Sequence, residues 1–270
     1  MPNKHSKADA RMGGARRAHP TGRAADQARP GGATSGTSRV LPLVRRELAA
    51  YFQSPVAYVA GVVFLVASGS IFFSTFFLYD RTEMRQFFAM LPFLLALLMP
   101  ALAMRLIAEE RRRGTWEILV TLPVSVTRIV LAKFLALWIT GMALLAPTLF
   151  FVLSVNTLGT LDPGPVLGGY IGAVFLVGAY GAVGVFASAI SRSETVALVV
   201  GLVIALVLVI LEGFLLLVPV QFVSMLQFLG TTYHFAGFTR GVVDTRSLIY
   251  FLSVIGFFLV LADYRLTRER

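Results

Sequence analysis

Six apolar runs divided by short polar segments constrain the fold of this 270-residue chain more than any other feature. A helix that crosses a bilayer needs about 20 mostly apolar residues, each rising about 1.5 Å. The runs fall at 56–78, 87–104, 134–155, 166–190, 196–220 and 248–262. The last is short, with Asp244 and Arg246 before it and Asp263 after it, so its ends are expected to snorkel or the bilayer to thin. Composition agrees. Only 14% of residues are charged and 57% are hydrophobic, against about 25% charged in soluble domains. A single soluble domain would expose too much apolar surface. The expected fold is all-α and polytopic, with six transmembrane helices. The absence of cysteine excludes thiolate metal sites, redox motifs and haem attachment.

Residues 1–39 differ in kind: they hold eight Lys and Arg, many small residues and Pro, and no apolar run. This composition reads as a disordered, solvated basic cytoplasmic tail, able to touch anionic lipid or a partner loosely. Neither a secretory nor a twin-arginine signal is expected, since no apolar stretch follows Arg16-Arg17, although an organellar transit peptide has a similar composition. From Val40 onward Leu41, Val44, Leu48, Tyr51 and Phe52 recur at helical spacing, with Arg45, Arg46 and Glu47 expected away from that face. Such a helix is too short and charged to cross a membrane, so it is expected to lie along the cytoplasmic interface and to bend at Ser54-Pro55. Cytoplasmic loops collect Lys and Arg. Six spans place twenty of the 24 basic residues on the side of both termini and four, Arg81, Arg85, Arg240 and Arg246, on the other. Both termini are therefore expected in the cytoplasm, and the net charge of +10 reflects this asymmetry rather than nucleic-acid binding.

Reactive constellations are missing. The only lysines are Lys4, Lys7 and Lys133, and none follows the glycine spacing that cradles phosphates. His5, His19 and His234 cannot form the paired motif of a helical metalloprotease. Ser68-Gly69-Ser70 has no histidine within the membrane to act as base and reads as helix packing. Tyr79-Asp80 has no second carboxylate motif and reads as the end of a span. No catalytic site, metal or cofactor is expected in this chain.

The most informative polar segment is 105–133. A charged run, Glu109, Glu110, Arg111, Arg112 and Arg113, precedes Gly114, and a short helix over 115–122 is closed by Pro123. Trp116, Leu119 and Val120 share one face of that helix, and an exposed apolar patch there suits either lipid or a soluble partner.

Three stretches resemble the type-2 ABC transporter permeases. They are Arg46-Glu47-Leu48 with Tyr51-Phe52 and Ser54-Pro55, then 105–111 leading through Gly114-Thr115 to Leu122-Pro123-Val124-Ser125, and Tyr233-His234-Phe235 with 238–241. The likeness spans about 40–265 and is greatest to the gliding-motility-associated branch, with the nitrous-oxide-reductase maturation permeases nearby. It implies a permease domain over 40–270 that works with a second permease subunit, as homodimer or heterodimer, and with cytoplasmic ABC ATPase subunits. ATP and Mg would be held in the partner ATPase. By this resemblance the helix at 115–122 is the coupling helix, so Glu109, Glu110, Arg111, Gly114, Thr115, Trp116, Glu117, Leu119, Leu122 and Pro123 belong to the ATPase contact. Arg46, Glu47, Leu48, Tyr51 and Phe52 would belong to an interfacial helix that touches lipid and the ATPase. Residues 221–246 would form short external helices, and the chain would reside in the bacterial inner membrane. It implies an ATP-driven exporter whose cargo stays open.

Two intramembrane features remain. Gly168, Gly172, Gly178, Gly181 and Gly184, followed by Ser188, make the fourth run a close-packing helix or a mobile gate. Glu212 near the outer end of the fifth run costs about 2.5–3.5 kcal/mol at midplane on the insertion scale, so it is expected either to pair structurally or to have a substrate or gating role. An ion-coupled secondary carrier is disfavoured by the scarcity of such groups and the lack of a visible internal repeat. A non-transporting membrane scaffold stays open.

Overall fold

Side-chain caps and prolines set where several helices begin in the computed structural model, which describes residues 40–79, 84–116, 125–158, 162–211, 213 and 219–268. The first helix, α1 (Val40–Gln53), gives way at Ser54 to α2 (Pro55–Tyr79), with Pro55 at the first position where its missing N–H costs nothing. Next come α3 (Arg85–Ala103) and a five-residue helix, α4 (Ala108–Arg112). The chain continues with α5 (Val126–Leu145), a 3-10 turn at Ala146–Thr148 and α6 (Leu149–Leu158). Asp162 caps α7 (Pro163–Ile190) by accepting from Gly164 N at 3.0 Å, and Ser193 caps α8 (Glu194–Ile210) by accepting from Val196 N at 3.3 Å. Two short helices, α9 (Val220–Leu229) and α10 (Thr231–Phe238), lead to α11 (Thr245–Thr267), capped by Asp244 through Arg246 N at 2.9 Å. No strand occurs among the described residues.

Among the described residues, five stretches are long and apolar enough to cross a membrane: Pro55–Ser74, Arg85–Arg112, Val126–Thr157, Pro163–Ile190 and Thr245–Thr267. Two of the expected runs, the third and the sixth, need correction. The third helix starts eight residues before 134, at Val126, because Val126, Ile129 and Val130 are buried against the bundle. It is also interrupted by the 3-10 turn around Pro147, whose ring cannot supply the N–H an α-helix needs there. The sixth is a full 23-residue helix rather than a short one. The Asp244 cap starts it early, and Asp263 and Arg265 are carried in its last turns. The fifth helix, by contrast, ends at Ile210 after 17 residues, about 26 Å at 1.5 Å per residue. Its last carbonyls are met by side chains from α10: Thr231 donates to Leu208 O at 3.1 Å and Thr232 to Val209 O at 3.3 Å. Since the Thr231 hydroxyl proton is committed to Leu208, buried Tyr180 donates to Thr231 Oγ1 at 2.7 Å.

The centre of the bundle is α7, which packs against α11, α3, α8, α5 and α10. Its glycines decide how close these neighbours come. A Cβ at Gly168 would fall onto the Phe238 carbonyl oxygen, one at Gly184 onto Ala103 Cβ, and one at Gly172 within 2.9 Å of the Phe235 ring. At Gly178 it would meet Ile255 Cδ1 at 2.9 Å and at Gly181 Met99 Cε at 3.3 Å. Glycine removes the side-chain layer that otherwise separates helix backbones. The same stripe brings α10 against the first turns of α7, α11 against its middle and the end of α3 against its last turns.

Candidate functional site

The end of the bundle that carries the charged segment is built around a break in a buried helix. Between α3 and α4 the backbone turns at Ile107 and Ala108, both fully buried, where unpaired N–H groups are costly. Ser188, one helical turn beyond Gly184 on α7, resolves this. Its Oγ accepts from Ile107 N at 3.0 Å and Ala108 N at 3.1 Å and donates to Met104 O at 3.2 Å. The glycine admits the backbone and the serine satisfies it.

Beyond the break, α4 is held on two sides. Toward the interior, Lys133 Nζ of α5 donates to Glu110 Oε1 of α4 at 2.7 Å and to Glu47 Oε2 of α1 at 3.2 Å. The Lys133 side chain is only 2% exposed. Toward the surface, Glu194 at the start of α8 pairs with Arg105 at 3.0 Å and Arg112 at 3.1 Å, where the Arg112 side chain is 62% exposed. Within α4 and its cap, Arg113 pairs with Glu109 at 2.5 Å and the Arg111 guanidinium lies 6.0 Å from the centre of the Trp116 ring. Tyr51 of α1 donates to Leu102 O at 3.1 Å. Burial, and then the charge of Glu47, push its phenol well above the ordinary tyrosine range, so it remains a donor. These groups surround an open cavity of about 780 Å³ lined by Arg46, Glu47, Tyr51, Arg105, Glu109 and Lys133 among others.

Several residues expected from sequence meet here. Glu47, Tyr51, Glu109, Glu110 and Thr115 line the cavity with Arg46, whose residue is exposed. Gly114 adopts φ +69°, the left-handed turn that glycine tolerates, and Thr115 Oγ1 donates to Glu110 O at 3.2 Å. Leu48 is half-buried, whereas Phe52 is 49% exposed. Two expectations are corrected. Glu47 does not fall away with Arg45 and Arg46, but turns inward because Lys133 offers it a buried counter-charge. Trp116 is not an exposed knob: it is 7% exposed and belongs to the core, with Arg111 beside its ring. Glu117, Leu119, Leu122 and Pro123 of the expected coupling helix, and Glu212, lie outside the described residues, as does the basic tail.

Lys133 is the site residue that sequence reasoning missed, because a loop charge and a buried helix charge look alike in a hydropathy profile. Its signal was positional. Val126, Ile129 and Val130 precede it and Leu137 follows it at helical spacing, and all four are buried, so Lys133 stands on an apolar face.

The ABC-2 family transporter protein model matches residues 65–255, more than two thirds of the chain. The chain belongs to this family. It is thus a multi-pass membrane permease of an ABC transporter, the transmembrane component rather than the catalytic one. Members of the ABC-2 permease family generally dimerise and work with a cytoplasmic ABC ATPase. The match takes in Glu110 and Lys133, and α1 precedes it. A comparison with curated proteins finds no match.

Proposed function

We propose that this ABC-2 permease is a subunit of an ATP-driven exporter in a bacterial inner membrane, moved by a separate ATPase that docks on residues 115–122. The observation that carries this reading is the family match together with the anchored charged segment that leads into 115–122. The reading includes six spans, with α8 and the residues that follow it as the fifth, and both termini in the cytoplasm, as the distribution of Lys and Arg supports. On this topology α1 is the interfacial helix, α9 and α10 lie toward the outer face, and a second permease subunit completes the pathway. ATP and Mg belong to the ATPase. The branch is that of the gliding-motility-associated permeases, with the nitrous-oxide-reductase maturation permeases nearby.

Because the chain has no cysteine, single introduced thiols test this directly. With Thr115→Cys, a short thiol crosslinker is expected to join the permease to its co-expressed ATPase in inverted vesicles. Labelling of the same thiol by an impermeant reagent in sealed, right-side-out cells would overturn the assignment.

A further inference from the structure

The buried lysine anchors the charged segment that leads into the proposed docking residues, and it also joins three elements. Glu47, Lys133 and Glu110 come from α1, α5 and α4, separated by 86 and 23 residues along the chain. Buried ion pairs are weak evidence for stability, since well-packed apolar groups of similar size often hold a core as well or better. What such a network supplies is a discrete geometry: two carboxylates fixed against one ammonium, with Arg46 the further charge beside Glu110. The opposite side of α4 is held differently. Its bridge to Glu194 runs through Arg112, whose side chain is 62% exposed, and Arg105 of the preceding turn, 43% exposed, shares the same carboxylate, so solvent screens both. A load on this end of the molecule would part the screened contacts to α8 before the buried ones to α1 and α5. Ser188 fixes the start of α4 on α7, which leaves the helix a defined pivot.

We propose that Lys133 is a positioning residue that locks α1 and α4 onto α5, so that ATPase movement reaches the third span as the motion of one body while the contact between α4 and α8 yields. The inference rests on the docking role assigned to residues 115–122. It also accounts for α1, which precedes the matched family segment and which Glu47 ties into the moving unit.

The test uses the full complex with its ATPase in lipid nanodiscs. Spin labels are placed at Arg45→Cys on α1 and Thr127→Cys on α5, both exposed positions. The distance between them is read with and without trapped ATP, alongside hydrolysis and the amount of ATPase bound. The unsubstituted Lys133 background is expected to give one narrow distance that ATP leaves in place. Lys133→Met is expected to keep the ATPase bound, broaden that distance and lower coupled hydrolysis about tenfold, within the range by which such couplings are tuned. Lys133→Arg is expected to restore both. Glu47→Gln, which leaves the Glu110 contact intact, is expected to broaden the distance and retain docking. Should the distance shift when ATP binds to the Lys133 background, or stay narrow in both Lys133→Met and Glu47→Gln with hydrolysis unchanged, the lock is disproved. A wild-type permease that retains no ATPase sinks the docking role and the lock together, and is told apart by the missing subunit.

Discussion

At the residue scale, tolerance depends on which atom a substitution meets. Gly168 faces the carbonyl oxygen of Phe238, a backbone atom with no rotamer to offer, whereas Gly256 on α11 has open space around it. Gly168→Ala is therefore expected to lower stability by about 1–3 kcal/mol through overpacking. Gly256→Ala is expected to leave stability unchanged or raise it by up to about 1 kcal/mol. Thermal melts of the two variants in one detergent make the comparison. His234 offers a pH-dependent case. Its ring stacks on Tyr250 with centroids 4.0 Å apart, and its Nε2 lies 3.0 Å from the Phe228 carbonyl, which can only accept. Nε2 thus carries the proton, and Nδ1 accepts from Ser247 Oγ at 3.3 Å. Burial lowers the imidazole pKa from its ordinary value of 6.5. A lowered histidine binds fewer protons folded than unfolded, so its contribution is present above pH 6.5 and lost as pH falls below it. Melts between pH 7.5 and 5 are expected to show a steeper acid loss for wild type than for His234→Gln, and parallel curves would exclude this histidine as the source.

Breaks are the informative feature at the scale of elements. Helices that end inside a membrane protein strand carbonyls and amides away from water, and each unpaired buried group costs about 1–3 kcal/mol. The end of α8 is closed by Thr231 and Thr232 and the start of α4 by Ser188. Ser188→Ala strands two buried N–H groups and is expected to destabilise by about 2–4 kcal/mol, the low side of two such losses once relaxation is allowed. Thr231→Val removes the acceptor of Tyr180 and the donor to Leu208, with a loss of about 1–3 kcal/mol expected. Denaturation in detergent measures both, and a Ser188→Ala protein as stable as wild type would mean the break is satisfied some other way. The sequence announced α2 and α7 clearly because their apolar runs are long and are bounded by Pro55, Pro163 and the Asp162 cap. It misplaced the start of α5 because Arg128 and Lys133 interrupt a hydropathy reading, although the helical face continues beneath them.

At the scale of the molecule, the proposed arrangement puts the charged hub and α1 in the cytoplasm and the segment after α10 outside. Single thiols at Arg45→Cys and Thr127→Cys are expected to resist an impermeant maleimide in sealed, right-side-out cells, while one at exposed Val242 is expected to react. Labelling at 45 or 127 would invert the topology. The apolar runs by themselves determined that the chain is an all-helical membrane protein, because no other fold satisfies backbone polar groups over runs of that length. The tertiary structure alone decided which charges are buried and which breaks are tolerated. Those depend on partners far apart in sequence, Glu47 with Lys133 and Ser188 with Ile107, and local periodicity carries no record of a partner that only folding brings near.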